Sequence, residues 1–221
     1  MKHLFIVVSV LLALLPHTSR GQQTLMLEEP DISADQLVFV CAGDLWISQR
    51  DGTEPRRLTS DPAGEHLPAF SPDGSMIAYM ANYDGSDDVY VIAAAGGQPR
   101  RLTWHPGDDT PTGWTADGRG VTFVSMRETD HGRSGQLYVA ALEGGLPRKQ
   151  MEARFFRGML NADDSRLAYI PFGSGYNGLF GGTAGWRGYR GGTTAAIQIM
   201  DIAAQTVTTV AGAGANNFNP V

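Results

Sequence analysis

The sequence predicts an all-β protein, a β-propeller with about four blades present in an incomplete ring. Three observations predict it. The stretch Phe70–Thr103 reads as short strands separated by Gly, Pro and Asp turns. That unit recurs at a period of about 40–45 residues, the spacing of propeller blades. Beyond the N-terminus the chain has almost no apolar run at helical spacing, which sets aside a solenoid of helix pairs.

Residues 1–21 read as a secretory signal. Lys2 and His3 precede the apolar core Leu4–Leu15, and Ser19-Arg20-Gly21 forms a small-x-small cleavage site. The core is shorter than the roughly 20 residues that a bilayer requires. The expected product begins near Gln22, is periplasmic or extracellular, and has no membrane contact once the signal is removed. Residues 22–31 read as a lead-in.

The blades are expected at about 32–65, 66–109, 110–154 and 155–215, with 216–221 opening the next. Ser71-Pro72-Asp73-Gly74 is a turn in which Pro72 presets φ and Gly74 tolerates a positive one. Strands follow at Met76–Ala81, with Ile77, Tyr79 and Ala81 on one face, and at Asp88–Ala93. A third ends in Arg100-Arg101-Leu102-Thr103. The turn recurs around Asp35, Asp117 and Asp163, spaced 38, 44 and 46 residues along the series that includes Asp73. The strand after the second turn recurs at Asp44–Ile47, Gln136–Val139 and Ala196–Ile199. The outer strand recurs as Arg56-Arg57-Leu58-Thr59, then degenerates to Pro147–Gln150 and Val207–Val210. The fourth unit is interrupted after Arg166–Ile170 by an insertion over 171–192. Its nine glycines and five aromatics predict a loop that packs onto something on the working face.

Charge narrows the partners. The formal charge of −6 falls to −8 when Lys2 and Arg20 leave with the leader, 15 basic against 23 acidic residues. An acidic chain with no basic face excludes nucleic acid as a partner. Cys41 stands alone and reads as a small buried hydrophobe, so blade packing carries the stability.

Most chemical motifs fail on inspection. Gly173-x-Gly175-x-x-Gly178 fits the dinucleotide fingerprint, but the Leu-Phe-Gly-Gly that follows cannot begin the helix that fingerprint needs. Asp84, Ser86 and Asp88 have calcium-loop spacing, yet Val89 and Ala95 occupy the required glycine and glutamate positions. His66, His105 and His131 lack metal-ligand spacing. His131 and Ser134 share a loop without a third group or an oxyanion pocket. Asp73, Asp117 and Asp163 are expected to accept turn amide hydrogen bonds rather than act together as acids. No catalytic residue, cofactor or metal is expected in these residues.

The repeats resemble the WD40-like repeats of TolB, of the prolyl oligopeptidase relatives and of the tricorn proteases. Trp186-Arg187-Gly188-Tyr189-Arg190-Gly191-Gly192-Thr193, followed by Ile197-Gln198-Ile199-Met200-Asp201, resembles a segment of the tricorn family's first, six-bladed propeller. Gly188 and Gln198 depart from that pattern, which has a basic and an aromatic residue there. The resemblance covers Ile32 to Val221. It implies a larger exported serine peptidase, with a second propeller, a PDZ-like module and a catalytic core whose residues have no counterpart here. Asn217–Val221 reads as the opening strand of a fifth unit, so a fragment of such a peptidase is expected. The implied role is non-catalytic, gating or guiding peptides to or from the core. Trp186, Arg187, Tyr189 and Arg190 would be the contact loop, and the rest of the chain and peptides would be the partners. The resemblance leaves open a homo-oligomeric parent. The alternative is a periplasmic TolB-like scaffold that binds proteins on its rim.

Overall fold

A computed structural model of the chain describes residues 26–129, 135–171 and 196–211. The signal segment therefore lies outside the described residues. Those residues form four antiparallel four-stranded sheets, each ordered as in sequence. Blade 1 holds β1 (Leu27–Ile32), β2 (Gln36–Cys41), β3 (Asp44–Gln49) and β4 (Arg56–Arg57). Blade 2 holds β5 (Glu65–Phe70), β6 (Met76–Ala81), β7 (Asp88–Ala93) and β8 (Arg100–Arg101). Blade 3 holds β9 (Asp109–Trp114), β10 (Gly120–Ser125), β11 (Gln136–Ala141) and β12 (Arg148–Lys149). Blade 4 holds β13 (Arg157–Leu160), β14 (Arg166–Ile170), β15 (Ile197–Asp201) and β16 (Thr206–Ala211). The propeller architecture expected from the repeat is the one observed.

The first strand of each sheet lies ahead of the turn at which the repeat is recognised in sequence. Leu27–Ile32 is thus the inner strand of blade 1, inside the stretch read as a lead-in. Successive inner strands β1, β5, β9 and β13 pack beside one another. Among the described residues no helix is long and apolar enough to cross a membrane.

Strand alternation builds the core, because residues two apart share a face. Val38, Val40, Leu45 and Ile47 of blade 1 pack on Ile77, Tyr79, Ala81, Tyr90 and Ile92 of blade 2. The opposite face of blade 2 (Ala78, Val89, Val91, with Leu102) meets Val121, Phe123, Tyr138 and Ala140 of blade 3. Leu137, Met151 and Phe155 then meet Leu167, Tyr169 and Met200. Blades 2 and 3 are covered on both sides, so β7 is apolar and buried almost throughout. Cys41 corrects its expected role: it is only half-buried, at the end of β2.

The Arg-Arg-Leu-Thr repeat has a task for each residue. The first arginine reaches into the following blade: Arg56 donates to the Ala94 carbonyl and Arg100 to the Leu142 carbonyl. The second pairs with the acid that opens the third strand, Arg57 with Asp44 at 2.8 Å and Arg101 with Asp88 at 2.5 Å. The leucines enter the core. The Thr59 hydroxyl accepts the Leu45 N–H at 2.8 Å, and the Thr103 hydroxyl the Val89 N–H at 3.0 Å.

The turn aspartates do what their spacing predicts. Asp73 accepts the Ser75 N–H at 3.0 Å and the Ser71 hydroxyl at 2.6 Å. Asp117 accepts the Arg119 N–H, and Asp163 the Ser165 N–H. Gly74 has φ 72°, a conformation that favours glycine, and a Cβ there would press at 3.3 Å on Ser33 of blade 1. The Ser71 hydroxyl, then the Ser75 amide and hydroxyl, lower the Asp73 carboxyl to about 2 from its ordinary 3.8. A lowered carboxyl stabilises the fold above its unfolded value and loses that contribution as pH falls through the folded one. The thermal midpoint of the chain should therefore exceed that of Asp73→Asn by a constant margin above about pH 4, and the margin should close by about pH 2. Melts across that range check it.

Candidate functional site

The connections on one end of the blades are short throughout, three to six residues long. Between first and second strands they span 33–35, 71–75, 115–119 and 161–165; between third and fourth they span 50–55, 94–99, 142–147 and 202–205. Connections between second and third strands, at the opposite end, are not uniform. They lengthen from 42–43 through 82–87 and 126–135 to 171–196. Strands β14 and β15 are directly paired (Tyr169 opposite Gln198), so the long segment leaves and re-enters between adjacent strands. Loops held on a rigid scaffold are where binding surfaces are commonly built, so the end with the lengthening connections is the candidate face. Trp186, Arg187, Tyr189 and Arg190, and the Gly173–Gly178 motif, fall in 172–195, outside the described residues. His131 and Ser134 do so too. What is described is the pair of strand ends, Ile170 and Ile197, that flank that insertion.

The same end carries exposed Trp104, on the connection into blade 3, and Met126 beside β10. It also holds a groove of about 470 Å³ at the junction of the inner strands of blades 1 and 2. Glu29, His66, Leu67, Met80, Asn82 and Asp87 line it, with Ala63 and Gly64. Glu29 lies 3.6 Å from the His66 ring and accepts the Leu67 N–H at 2.6 Å. Asp31 likewise accepts the Phe70 N–H at 2.7 Å, so carboxylates of β1 tether the backbone of β5.

Both inner strands bulge at matching positions, between Glu28 and Asp31 and between His66 and Ala69. Glu29 and Leu67 adopt φ of 50° and 53°, each directly before a proline. That conformation is sparsely populated for residues with a side chain and is disfavoured ahead of proline. Each such residue costs on the order of 1–3 kcal/mol and persists where surrounding structure imposes it. The bulge turns Glu29 toward its neighbour and breaks the alternation that would mark the strand in sequence.

Beneath this end the blade junctions hold buried carboxylates. Glu65 is fully buried and accepts from the Thr59 hydroxyl and the Tyr83 hydroxyl, each at 2.6 Å. Asp109, its counterpart in blade 3, is fully buried and pairs with Arg127 at 2.6 Å. Burial pushes the Asp109 carboxyl up, and the Ser125 hydroxyl and the Arg127 guanidinium pull it back. Both acids stand six residues after the threonine of an Arg-Arg-Leu-Thr repeat (Thr59, Thr103), a signal that could have found them.

The calcium-like spacing resolves into an ion pair. Asp84 and Asp88 both contact Arg101, so a side-chain cation sits between them. The His105 ring accepts the Gly107 N–H at 3.0 Å. His66 lines the groove. Among the described residues no group of three or more His, Cys, Asp or Glu side chains is placed to hold a metal. The arrangement presents a strained, partly acidic mouth and a set of loops over inner strands; it assembles no nucleophile, base and oxyanion pocket among these residues.

Comparison with known proteins places this geometry. The family model of the tricorn protease N-terminal β-propeller domain matches residues 24–221. A 51-residue stretch is 49% identical to putative tricorn protease homolog 2 of Streptomyces coelicolor, covering 23% of this chain and 4% of that protein. A 62-residue stretch is 29% identical to tricorn protease homolog 1 of the same organism, covering 28% and 6%. Both matches therefore span a small part of much longer relatives. Among solved structures, the tricorn protease superposes with a TM-score of 0.68 at 21% identity, over 87% of this chain and 19% of that one. TolB from Acinetobacter baumannii gives 0.65 at 20%, over 85% and 44%. At such identities the superpositions establish the fold alone.

Proposed function

The chain belongs to the tricorn protease N-terminal β-propeller family, and from that premise we propose that it is an exported, non-catalytic propeller that gates or guides extended peptides for a serine peptidase core. The observation that carries the proposal is the progressive lengthening of the connections at one end, beside a groove at the inner strands. Access control is the mechanism. An extended chain is narrow enough to pass between loops and along inner strands, whereas a folded protein is not. Trp104, Trp186, Arg187, Tyr189 and Arg190 would contact the peptide, aromatics through apolar area and arginines through its carbonyls and carboxylates. The secretory-type leader supports export.

The test is equilibrium binding by fluorescence anisotropy. An unstructured labelled peptide of about ten residues should bind the chain without being hydrolysed, and the same sequence embedded in a folded protein should not. Trp104→Ala and Trp186→Ala should each weaken binding several-fold, the loss of one stacking contact being worth on the order of 1 kcal/mol. The similarity to TolB favours a second reading, a scaffold binding folded partners. Binding of a folded protein with no peptide affinity would select it.

A further inference from the structure

From the outer edge of blade 4 we infer that β16 is a self-association surface, at which two copies of this chain join edge to edge through an antiparallel strand pair. The inference goes beyond the peptide-guiding role and does not depend on it.

The outer strands of the first three blades share one design. β4, β8 and β12 are two residues long, and both residues are cationic: Arg56-Arg57, Arg100-Arg101 and Arg148-Lys149. Short, charged edges are how sheet proteins keep their unpaired N–H and C=O groups from pairing with another chain. Blade 4 lacks both protections. β16 runs for six residues, Thr206-Val207-Thr208-Thr209-Val210-Ala211, with no charge and no proline. Among the described residues it is the terminal strand of its sheet, paired on one side only. Residues 206–210 are all exposed, Val207 at 45% and Val210 at 59%. Five β-branched residues in succession fit a pleated ladder.

Its own sequence suits a second copy. A two-fold axis normal to the sheet, passing midway between the two copies' Thr208, keeps both copies' faces aligned. It sets Thr208 opposite Thr208 of the second copy, Val207 opposite Thr209, and Thr206 opposite Val210. Every opposed pair is then β-branched and uncharged, and such pairs favour association while like charges oppose it. A basic strand of the kind at the other three edges would meet no complementary charge here. One six-residue ladder buries less than the roughly 1,000 Å² typical of stable interfaces, so the dimer is reversible and concentration-dependent.

Sedimentation velocity on the whole chain, from ~1 to ~300 µM, reads this directly. The wild-type protein should show a monomer–dimer equilibrium. Thr208→Lys, which puts like charges at the axis, should raise the dissociation constant at least about tenfold with the thermal midpoint unchanged. Should that variant misfold, Thr208→Cys in a Cys41→Ser background decides instead. Self-opposed residues there lie within reach of a disulfide, so mild oxidation should yield covalent dimer, and Thr53→Cys in an exposed blade 1 turn should not. A protein that stays monomeric throughout, or that associates equally well as Thr208→Lys, or that crosslinks no better through position 208 than through 53, would overturn the inference.

Discussion

Arg127→Ala should destabilise the chain by about 3–5 kcal/mol, the cost of stripping a buried carboxylate of its cation. Asp109 is completely buried, and the Arg127 guanidinium, itself 17% exposed, contacts its Oδ2 at 2.6 Å. The same guanidinium lies 5.3 Å from the Phe123 ring centre and 5.0 Å from that of Tyr138, on the aromatic pair that fills the junction of blades 2 and 3. The substitution thus removes a counter-ion and a cation–π contact together. Urea unfolding at pH 7 measures the loss. Its pH dependence identifies the cause. Burial already raises the Asp109 carboxyl, and without Arg127 it rises further. A raised carboxyl contributes stability at pH values below its unfolded pKa and loses it as pH climbs through the folded one. The deficit of Arg127→Ala should therefore be largest at neutral pH and shrink toward pH 4. Asp109→Asn in the same background should recover much of it at neutral pH.

Tyr79→Ala should cost a similar amount, about 3–5 kcal/mol, by leaving a cavity where an aromatic ring was. Tyr79 is fully buried between blades 1 and 2, with its ring stacked 5.7 Å from that of Tyr90. Tyr83 packs edge-on against Tyr90 at 4.7 Å, so the cavity would open beside a cluster that cannot collapse without moving two further rings. Tyr79→Phe separates ring from hydroxyl. Among the described residues that hydroxyl reaches the Tyr83 hydroxyl, at a long 3.4 Å, so its removal should cost less than about 1 kcal/mol. Comparable losses in the two variants would place the stabilisation in the hydroxyl network around Glu65 instead of in packing.

What was legible in the sequence follows from which forces act locally. The strands Met76–Ala81, Asp88–Ala93 and Arg166–Ile170 stand where the repeat places them, because both faces of a middle strand are apolar and its ends are turns. The aspartates of the first turn were legible for the same reason, their partners lying two residues away. Inner strands were harder. β1, β5 and β9 contain Pro30, Pro68 and Pro111, carry bulges, and turn one face toward the inner surface, so no alternation marks them. Glu29 lies hidden with them, and His66, visible only as a residue without metal-ligand spacing, gives no sign in sequence of the groove it lines. Asp109 and Arg127 are joined across two paired strands, a relation that no local pattern encodes. The insertion was readable as an anomaly, while its aromatic and arginine residues lie outside the described structure.

Each core cluster joins one blade only to the next, and each arginine staple spans the same single step. Chains built of such nearest-neighbour units can add structure one unit at a time. During synthesis, a blade can close its hairpins as soon as its strands are made and wait for only one successor to cover it. The intervals of 38 to 46 residues between the turn aspartates then mark the pace of growth as well as architecture. At about 5–20 residues per second, the face of each newest blade stays bare for about 2–9 seconds before its cover arrives. The arginine of blade 1 must wait for blade 2 as well, since the carbonyl it grips lies 38 residues downstream. It is therefore a latch that closes only after the next unit has folded.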